Sequence, residues 1–562
     1  MKTTLSFTQS RAFSAAAASP LRRTLCLLLA ALCLLSGCGG AAGSGDGPDL
    51  ENLPVGDAYG GEALRRRPEA DAVFTLNFDP GAGTNPIKAD SATNNQFASL
   101  IYDTIFVLDE DFSWSSELIS EYRTDDFSWW VFTVAPGITF SDGTPLTVTD
   151  IVYSIRMCQQ SSAYSSHMRC MYGVSAITED SFAISASQPN SLLPAMLNIP
   201  VIKSGDYGED YPVGSGSYVL SEDHTALLRR PDGRHADSLP LETIYLHDYM
   251  DPTQRITAFE DGRLDLVIND PVGMYNLGYS GLKETRYYDT TNMHFIGFNT
   301  RSNCFQNYLT RCAVGYLLDR DDLVRSLMHN CADAAALPCH PRSPLYDADY
   351  AATARYDPQM AAAMFREGGV DDLDDDGALE VTVTGIVVEI NVKFIVNTDS
   401  AVKVMAARQL AAELNALGIT TTLYELDWDS FLVALSSGDF DMYYGELRLG
   451  ADWNLSPMFA IPREADRREG YWFMNYARTM DSTYTELYAA YLAADDTQRK
   501  EKFLEAARYV CDTGLLLPIC FERRELLTHR DAISGLHPTQ YDLFNRFPEW
   551  RFNLAQPQNG AG

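Results

Sequence analysis

The chain lacks the signatures of most catalytic machinery. It has no G-x-x-x-x-G-K-[ST], so no P-loop cradles a nucleotide phosphate, and neither H-E-x-x-H nor G-x-S-x-G occurs. Its nine histidines are scattered, with no i, i+4 pair around a carboxylate. No C-x-x-C is present, and Cys339-His340 near Cys331 lacks a fourth zinc ligand. Positive charge is scarce. Lys and Arg number 43 against 76 Asp and Glu, a net charge of −33, which disfavours nucleic acid and anionic lipid as partners. After Leu35 no second long apolar run occurs, so the body reads as globular and outside the bilayer.

What is there begins with the N-terminus. Arg22-Arg23 precede a mostly apolar stretch, Thr24 to Leu35, of a length suited to a signal peptide and too short to span a bilayer. Leu35-Ser36-Gly37-Cys38 then looks like a bacterial lipobox, with small residues ahead of a thiol that takes a diacylglyceryl group. This predicts a signal peptide over 1–37 and a mature chain tethered by lipid at Cys38, facing the extracytoplasmic side of the cell envelope. Residues 38–71, rich in Gly, Ala, Asp and Pro, read as a flexible tether. Removal of the signal takes four cations and no acids, so the mature chain is more acidic still. Roughly 525 mature residues exceed one core and imply two or three domains.

Eight cysteines remain in the mature body, in neighbouring couples: Cys158/Cys170, Cys304/Cys312, Cys331/Cys339 and Cys511/Cys520. An even number in near pairs in an exported chain suggests local disulfides, with buried free thiols as the alternative.

Along the body, residues 72–76 read as a strand and Asn94 to Phe106 as a helix with Phe97, Leu100, Ile101 and Ile105 on one face. Trp129 to Val134 alternates as a strand, and Thr147 or Thr149 caps a helix bearing Ile151, Val152, Ile155 and Cys158. From Val392 an α/β rhythm sets in. A strand to Val396 leads, through Asp399-Ser400, to a helix with Val402, Ala406, Leu410, Leu414 and Leu417 in one stripe, stopped by Gly418. Strand 419–426, helix 430–435 and strand 440–444 follow. This alternation predicts a largely parallel sheet, with ligands at the carboxyl ends of its strands and hence a site just after Tyr444. Asp372-Leu373-Asp374-Asp375-Asp376-Gly377 resembles half of a calcium loop, but its twelfth position is Val383, where a bidentate Glu is needed, so it reads as an acidic exposed turn. Gly214-Ser215-Gly216-Ser217 reads as a tight turn. Glu425, Asp427 and Asp429 share one face of a strand without defining an acid–base pair. The chain thus points to binding, without a cofactor or metal; a secreted hydrolase and a receptor that does not feed transport are the alternatives.

Several segments, in order, resemble the family 5 extracellular solute-binding proteins of ABC importers. They are Asn85-Pro86-Ile87, Leu100 to Phe106, the long run from Trp130 to Thr147 with Asp150 to Ser154, Val213 to Tyr218, Gly262 to Leu266, Phe298-Asn299, Leu318-Asp319-Arg320 and Tyr356-Asp357-Pro358. Ser217, Ala135 and Cys312 depart from the family's usual residues. The resemblance implies an α/β, two-lobe clamshell of the type II periplasmic-binding class, in the large peptide-binding cluster with an extra subdomain. One lobe would combine 72–95, 200–298 and 515–556, with the extra subdomain at 96–199; the other would be 299–514. It further implies a monomer that encloses an oligopeptide, or another solute such as a nickel chelate, opine or sugar, and docks on a membrane permease. Gly450 to Phe459 is similar to the oligopeptide binders' segment in which an aspartate pairs with the peptide's α-ammonium. By that match Asp452 is the anchor, with Trp453 and Asn454 beside it and Trp453 as a pocket wall.

Overall fold

Alternating side chains sort the strands of the C-terminal half into two buried faces, and helices cover both. The computed structural model describes residues 73–273 and 276–554, all within the unit Arg66–Gly562. Cys38, the signal peptide over 1–37 and the tether over 38–71 lie outside the described residues. The principal sheet runs Leu266–Asn269, Leu516–His529, Lys283–Phe298, Met442–Arg448, Asn391–Asn397, Thr420–Leu426, with Ala332–Ala334 also paired to Leu516–His529. Phe394, Val396, Met442 and Tyr444 pack with Leu410 and Leu414 of the helix Ala401–Ala416. Ile395 and Tyr443, one residue out of phase, join Phe521 and the helices Thr483–Leu492 and Arg499–Asp512 on the other face. Each leucine buried here contributes about 1.5–3 kcal/mol.

The predicted strand–helix–strand order from Asn391 to Arg448 is present. Ser400 Oγ accepts from Lys403 N at 3.4 Å to start the helix, and Gly418, at φ +89°, ends it. A largely parallel sheet is corrected to a mixed one. Asn391–Asn397 is parallel to Thr420–Leu426 and to Met442–Arg448. The two long strands Lys283–Phe298 and Leu516–His529, which come from outside the α/β segment, enter antiparallel.

The N-terminal half holds two four-stranded sheets. One contains Thr75–Asn77 and Thr243–His247. The other contains Trp129–Val134, as predicted, and lies against the helix Val148–Gln160, whose capping box joins Thr147 and Asp150. The helix expected over Asn94 to Phe106 is instead two single turns, Ala92–Asn95 and Ala98–Ile101, followed by extended chain. The apolar residues are buried as expected, but Ile105 N and Phe106 N donate to Ile199 O and Leu197 O rather than back along a helix.

None of the four cysteine couples is bonded; all eight are free thiols. Nearness in sequence here does not mean nearness of side chains. Cys331 and Cys520 belong to the core on one sheet face, whereas Cys339 lies in, and Cys511 against, the core on the other. Cys312 Sγ turns to Asp512 O at 3.2 Å, away from buried Cys304, and Cys170 Sγ to His167 O at 3.4 Å. Burial pushes Cys312 up to about 11 and Cys170 up to about 12, and raises the other six. The reactive thiolate is thereby suppressed, which reconciles free cysteines with an exported chain. The mature body, denatured without reductant, should titrate all eight thiols; a count of four or fewer would restore local pairing.

His340 carries a second consequence of burial. Its side chain is 0 % exposed, packed against Phe112 and Phe521, and its Nδ1 accepts from Arg342 N at 3.2 Å. Burial, against the opposing pull of Asp333, lowers it from 6.5 to about 4. The unfolded chain binds this proton near 6.5 and the folded one only near 4, so the contribution is whole above 6.5 and lost as pH falls toward 4, by up to about 3 kcal/mol. In urea titrations at pH 7 and pH 4.5, His340→Gln should lose less stability between the two than the parent does.

Candidate functional site

A cavity of about 690 Å³ opens where the N-terminal segments meet the end of the Met442–Arg448 strand. Its wall includes Tyr164, His167, Arg448, Gly450, Tyr541 and Asp542. The cavity thus adjoins the segment after Tyr444 where the strand order leads one to look for a site.

The strand's exit is pinned before it reaches the cavity. Leu449 N donates to Thr291 O at 3.0 Å, Thr291 Oγ1 donates to Leu449 O at 2.6 Å, and Gln540 Oε1 accepts from Thr291 N at 2.9 Å. The chain then turns sharply, with Trp453 N bonded to Gly450 O at 3.1 Å and Trp453 at φ +54°. A bulky residue in the left-handed region costs of order 1–3 kcal/mol and persists only where the surroundings impose it. Here they do: the indole is 2 % exposed, edge-on to Phe112 at 4.9 Å and to Phe521 at 5.9 Å.

Trp453 is thus core rather than pocket wall, which corrects the role expected of it. Large aromatics bury more area than any other side chain, and this one is spent on holding the turn. Asn454 Oδ1 accepts from Ser456 N at 2.8 Å, shaping the chain ahead of the short helix Ser456–Phe459.

Asp452 stands one residue behind the wall formed by Gly450 and Ala451. Tyr488 Oη donates to its Oδ2 at 2.8 Å, and Tyr488 is stacked on Tyr484 at 5.8 Å. The surrounding protein raises its carboxyl above the usual carboxylate range, with Tyr488 and His167 opposing. Among the described residues no Lys or Arg pairs with it. His167, a residue of the cavity wall, is lowered by burial, and the field of Asp452 opposes that shift. Asp542 is also raised by burial while Ser99 Oγ donates to its Oδ1 at 2.6 Å. Arg448 lines the same cavity without an ion-pair partner among the described residues.

The cavity wall carries groups of both signs, Asp542 and Arg448 among them, and among the described residues no nucleophile–base pair with an oxyanion hole is assembled in it. The bacterial extracellular solute-binding proteins, family 5 (Middle), match residues 114–465. The chain belongs to this family. Members bind solutes and are not enzymes, and this chain is a substrate-binding protein of the ABC transporter class. It is 21% identical over 480 residues to the periplasmic oligopeptide-binding protein OppA of Salmonella typhimurium, covering 78% of this chain and 84% of OppA. It is 21% identical over 456 residues to the nickel-binding periplasmic protein of Escherichia coli, covering 76% and 85%. Its fold matches the oligopeptide-binding protein AppA of Bacillus subtilis, solved with a nonapeptide, at a TM-score of 0.57 and 16% identity over 86% of this chain and 99% of that one. The two-lobe binding fold follows.

Sequence reasoning missed His167, Tyr164, Tyr541 and Asp542, which sit on segments remote from Asp452 and carry no motif. Arg448 had a signal: it lies four residues before Asp452, at the end of the strand said to lead to the site. Because Trp453 holds the turn, Trp453→Ala should cost about 3–5 kcal/mol in urea unfolding of the ligand-free protein. A loss below about 1 kcal/mol, in the range of surface substitutions, would show that the turn stands without the indole.

Proposed function

We propose that this chain is a lipid-anchored extracytoplasmic receptor that closes two lobes over an oligopeptide and hands it unaltered to an ABC permease. The lipid on Cys38, the choice of peptide and the division of lobes near Phe298 and Leu515 are parts of this proposal. The observation that carries it is Asp452: a carboxylate largely enclosed by protein, with no Lys or Arg paired to it among the described residues. A ligand ammonium supplies that cation, and a desolvated carboxylate–ammonium pair is a strong, charge-assisted contact. Arg448 offers the complementary charge to an acidic group of the same ligand. Backbone groups lining the cleft add strand-like hydrogen bonds to an extended chain.

The relative named for nickel raises a metal cargo as the second reading. Among the described residues, no group of three His, Cys, Asp or Glu side chains converges in the cavity wall, which favours an organic ammonium over a bare ion. Closure is a hinge motion biased by the ligand's differential affinity for the closed state.

Removing one partner of a buried charged pair costs about 3–5 kcal/mol. Asp452→Asn is therefore expected to weaken free-amino peptides at least tenfold in calorimetry and to leave N-acetylated peptides nearly unchanged. Equal loss for both would remove Asp452 from the anchoring role. Native mass spectrometry of protein purified without refolding would show intact peptide in a one-to-one complex; recovery of cleaved products would overturn the transport reading.

A further inference from the structure

The helix Thr483–Leu492 buries Tyr484, Tyr488 and Tyr491 at a spacing that sets them on one face. A phenol taken out of water needs a hydrogen-bond partner. Two of these hydroxyls find theirs on the turn that carries Asp452, one at each end of it. Leu455 N donates to Tyr484 Oη at 3.0 Å, and Tyr488 Oη donates to Asp452 Oδ2 at 2.8 Å. The two rings stack at 5.8 Å, and the helix is seated on Phe503 and Val510 of the helix Arg499–Asp512. One oxygen of the carboxylate is thereby fixed from the core side.

The other oxygen lies against Gly450, a residue of the cavity wall. A Cβ placed on Gly450 would stand 2.7 Å from Asp452 Oδ1, well inside van der Waals contact. Chain neighbours aside, Asp452 is the only residue that such a Cβ would meet within 4 Å. Gly450 does not have the left-handed φ that favours glycine, so what the position requires is space and not conformational freedom. Asp452 itself is only half-buried.

We propose that Gly450 and Tyr488 are the positioning residues of the ammonium site: Tyr488 holds Oδ2 from behind, and the missing side chain at Gly450 leaves Oδ1 open to the cavity. Their role rests on the reading of Asp452 as the anchor, and it narrows the ligand to one with an unblocked amino group. A carboxylate already held by one oxygen receives an ammonium on the other without reorienting, and such preorganisation favours affinity. The choice of a phenol matters. Burial pushes Tyr488 well up, so its hydroxyl keeps its proton. A neutral donor fixes the geometry and leaves the carboxylate's charge for the ligand, where Lys or Arg would consume it.

The test is competition titration of the full chain with a pool of tri- to pentapeptides and with the same pool N-acetylated. Tyr488→Phe keeps the ring and its stack on Tyr484 and removes only the hydroxyl. It should weaken the free-amino pool about tenfold, the worth of one hydrogen bond to a charged group, and leave the acetylated pool nearly unchanged. Gly450→Ala should do the same by placing its methyl group against Oδ1; were that variant not to fold, Tyr488→Phe still decides. A second readout is pH. Tyr488 holds the Asp452 carboxyl down against burial, so without it the carboxyl rises, and free-amino affinity should fail at a higher pH than in the parent. A merely structural defect would weaken both pools and leave that pH in place. Where Asp452→Asn is selective for the free-amino pool, equal loss from both pools, or parental affinity in either variant, overturns these two roles alone. Where Asp452→Asn is unselective, or the parent binds neither pool, the anchor reading falls and the two roles with it.

Discussion

The pairing of Lys283–Phe298 with Leu516–His529 is the constraint on which the other contacts depend, because these two strands are shared between otherwise separate cores. Tyr288 and Leu526 lie in the core of the N-terminal sheets. Ile296, Phe298, Leu517 and Ile519 lie in the core under the helix Ala401–Ala416, and Phe295, Leu516 and Phe521 in the one on the opposite face. Side chains alternate along a strand, so a slip of one residue in this pairing would exchange the faces and unmake both cores together. The register is broken twice, between His294 and Phe295 and, more widely, between Asp289 and Met293, where three residues bulge opposite Glu522. Bulges bend a strand and re-aim its side chains. Here the re-aimed residues do the pinning: Thr290 Oγ1 donates to Glu522 O, Thr291 secures Leu449, and Asn292 bridges two glutamates. The strand exit that leads to the cavity is thereby fixed by the same irregularity that joins the two halves of the fold.

Site geometry depends next on a turn that local preference opposes. The left-handed backbone at Trp453 costs of order 1–3 kcal/mol, and burial of the indole between Phe112 and Phe521 exceeds that, since loss of a buried Trp costs about 3–5 kcal/mol. Phe112 belongs to the N-terminal half and Phe521 to a shared strand, so one side chain reads the position of both. Asp452 inherits that placement, and Tyr488 orients its carboxylate.

Much of the fold was legible because its signals are local. The cap at Thr147, the stripe from Ala406 to Leu414, the stop at Gly418 and the alternation over Trp129 to Val134 each depend on near neighbours, and each is present. What escaped depends on distant ones. The Asn94 to Phe106 segment has helical periodicity but yields its last residues to Leu197 and Ile199, about ninety positions away. Cysteine spacing said nothing about which sheet face each thiol would take. Trp453 carried the right neighbourhood and the wrong role, because no sequence pattern reports that Phe112 folds against it. The cavity wall was illegible for the same reason: His167, Tyr541 and Asp542 converge only through tertiary structure.

Electrostatics then separates the acids of this very negative chain into two kinds. Where Asp289, Asp333 and Glu446 gather with other acids or histidines, Arg342, Arg523 or Lys403 is built in beside them, and the charge of the carboxylates is offset within the protein. Asp452 departs from that pattern. It is enclosed, Tyr488 Oη donates to its Oδ2, and among the described residues no Lys or Arg pairs with it. An uncompensated carboxylate lowers stability wherever it is buried, and folding tolerates it where a cation from outside completes the site. Asp452 stands behind the wall of a cavity with room for a solute.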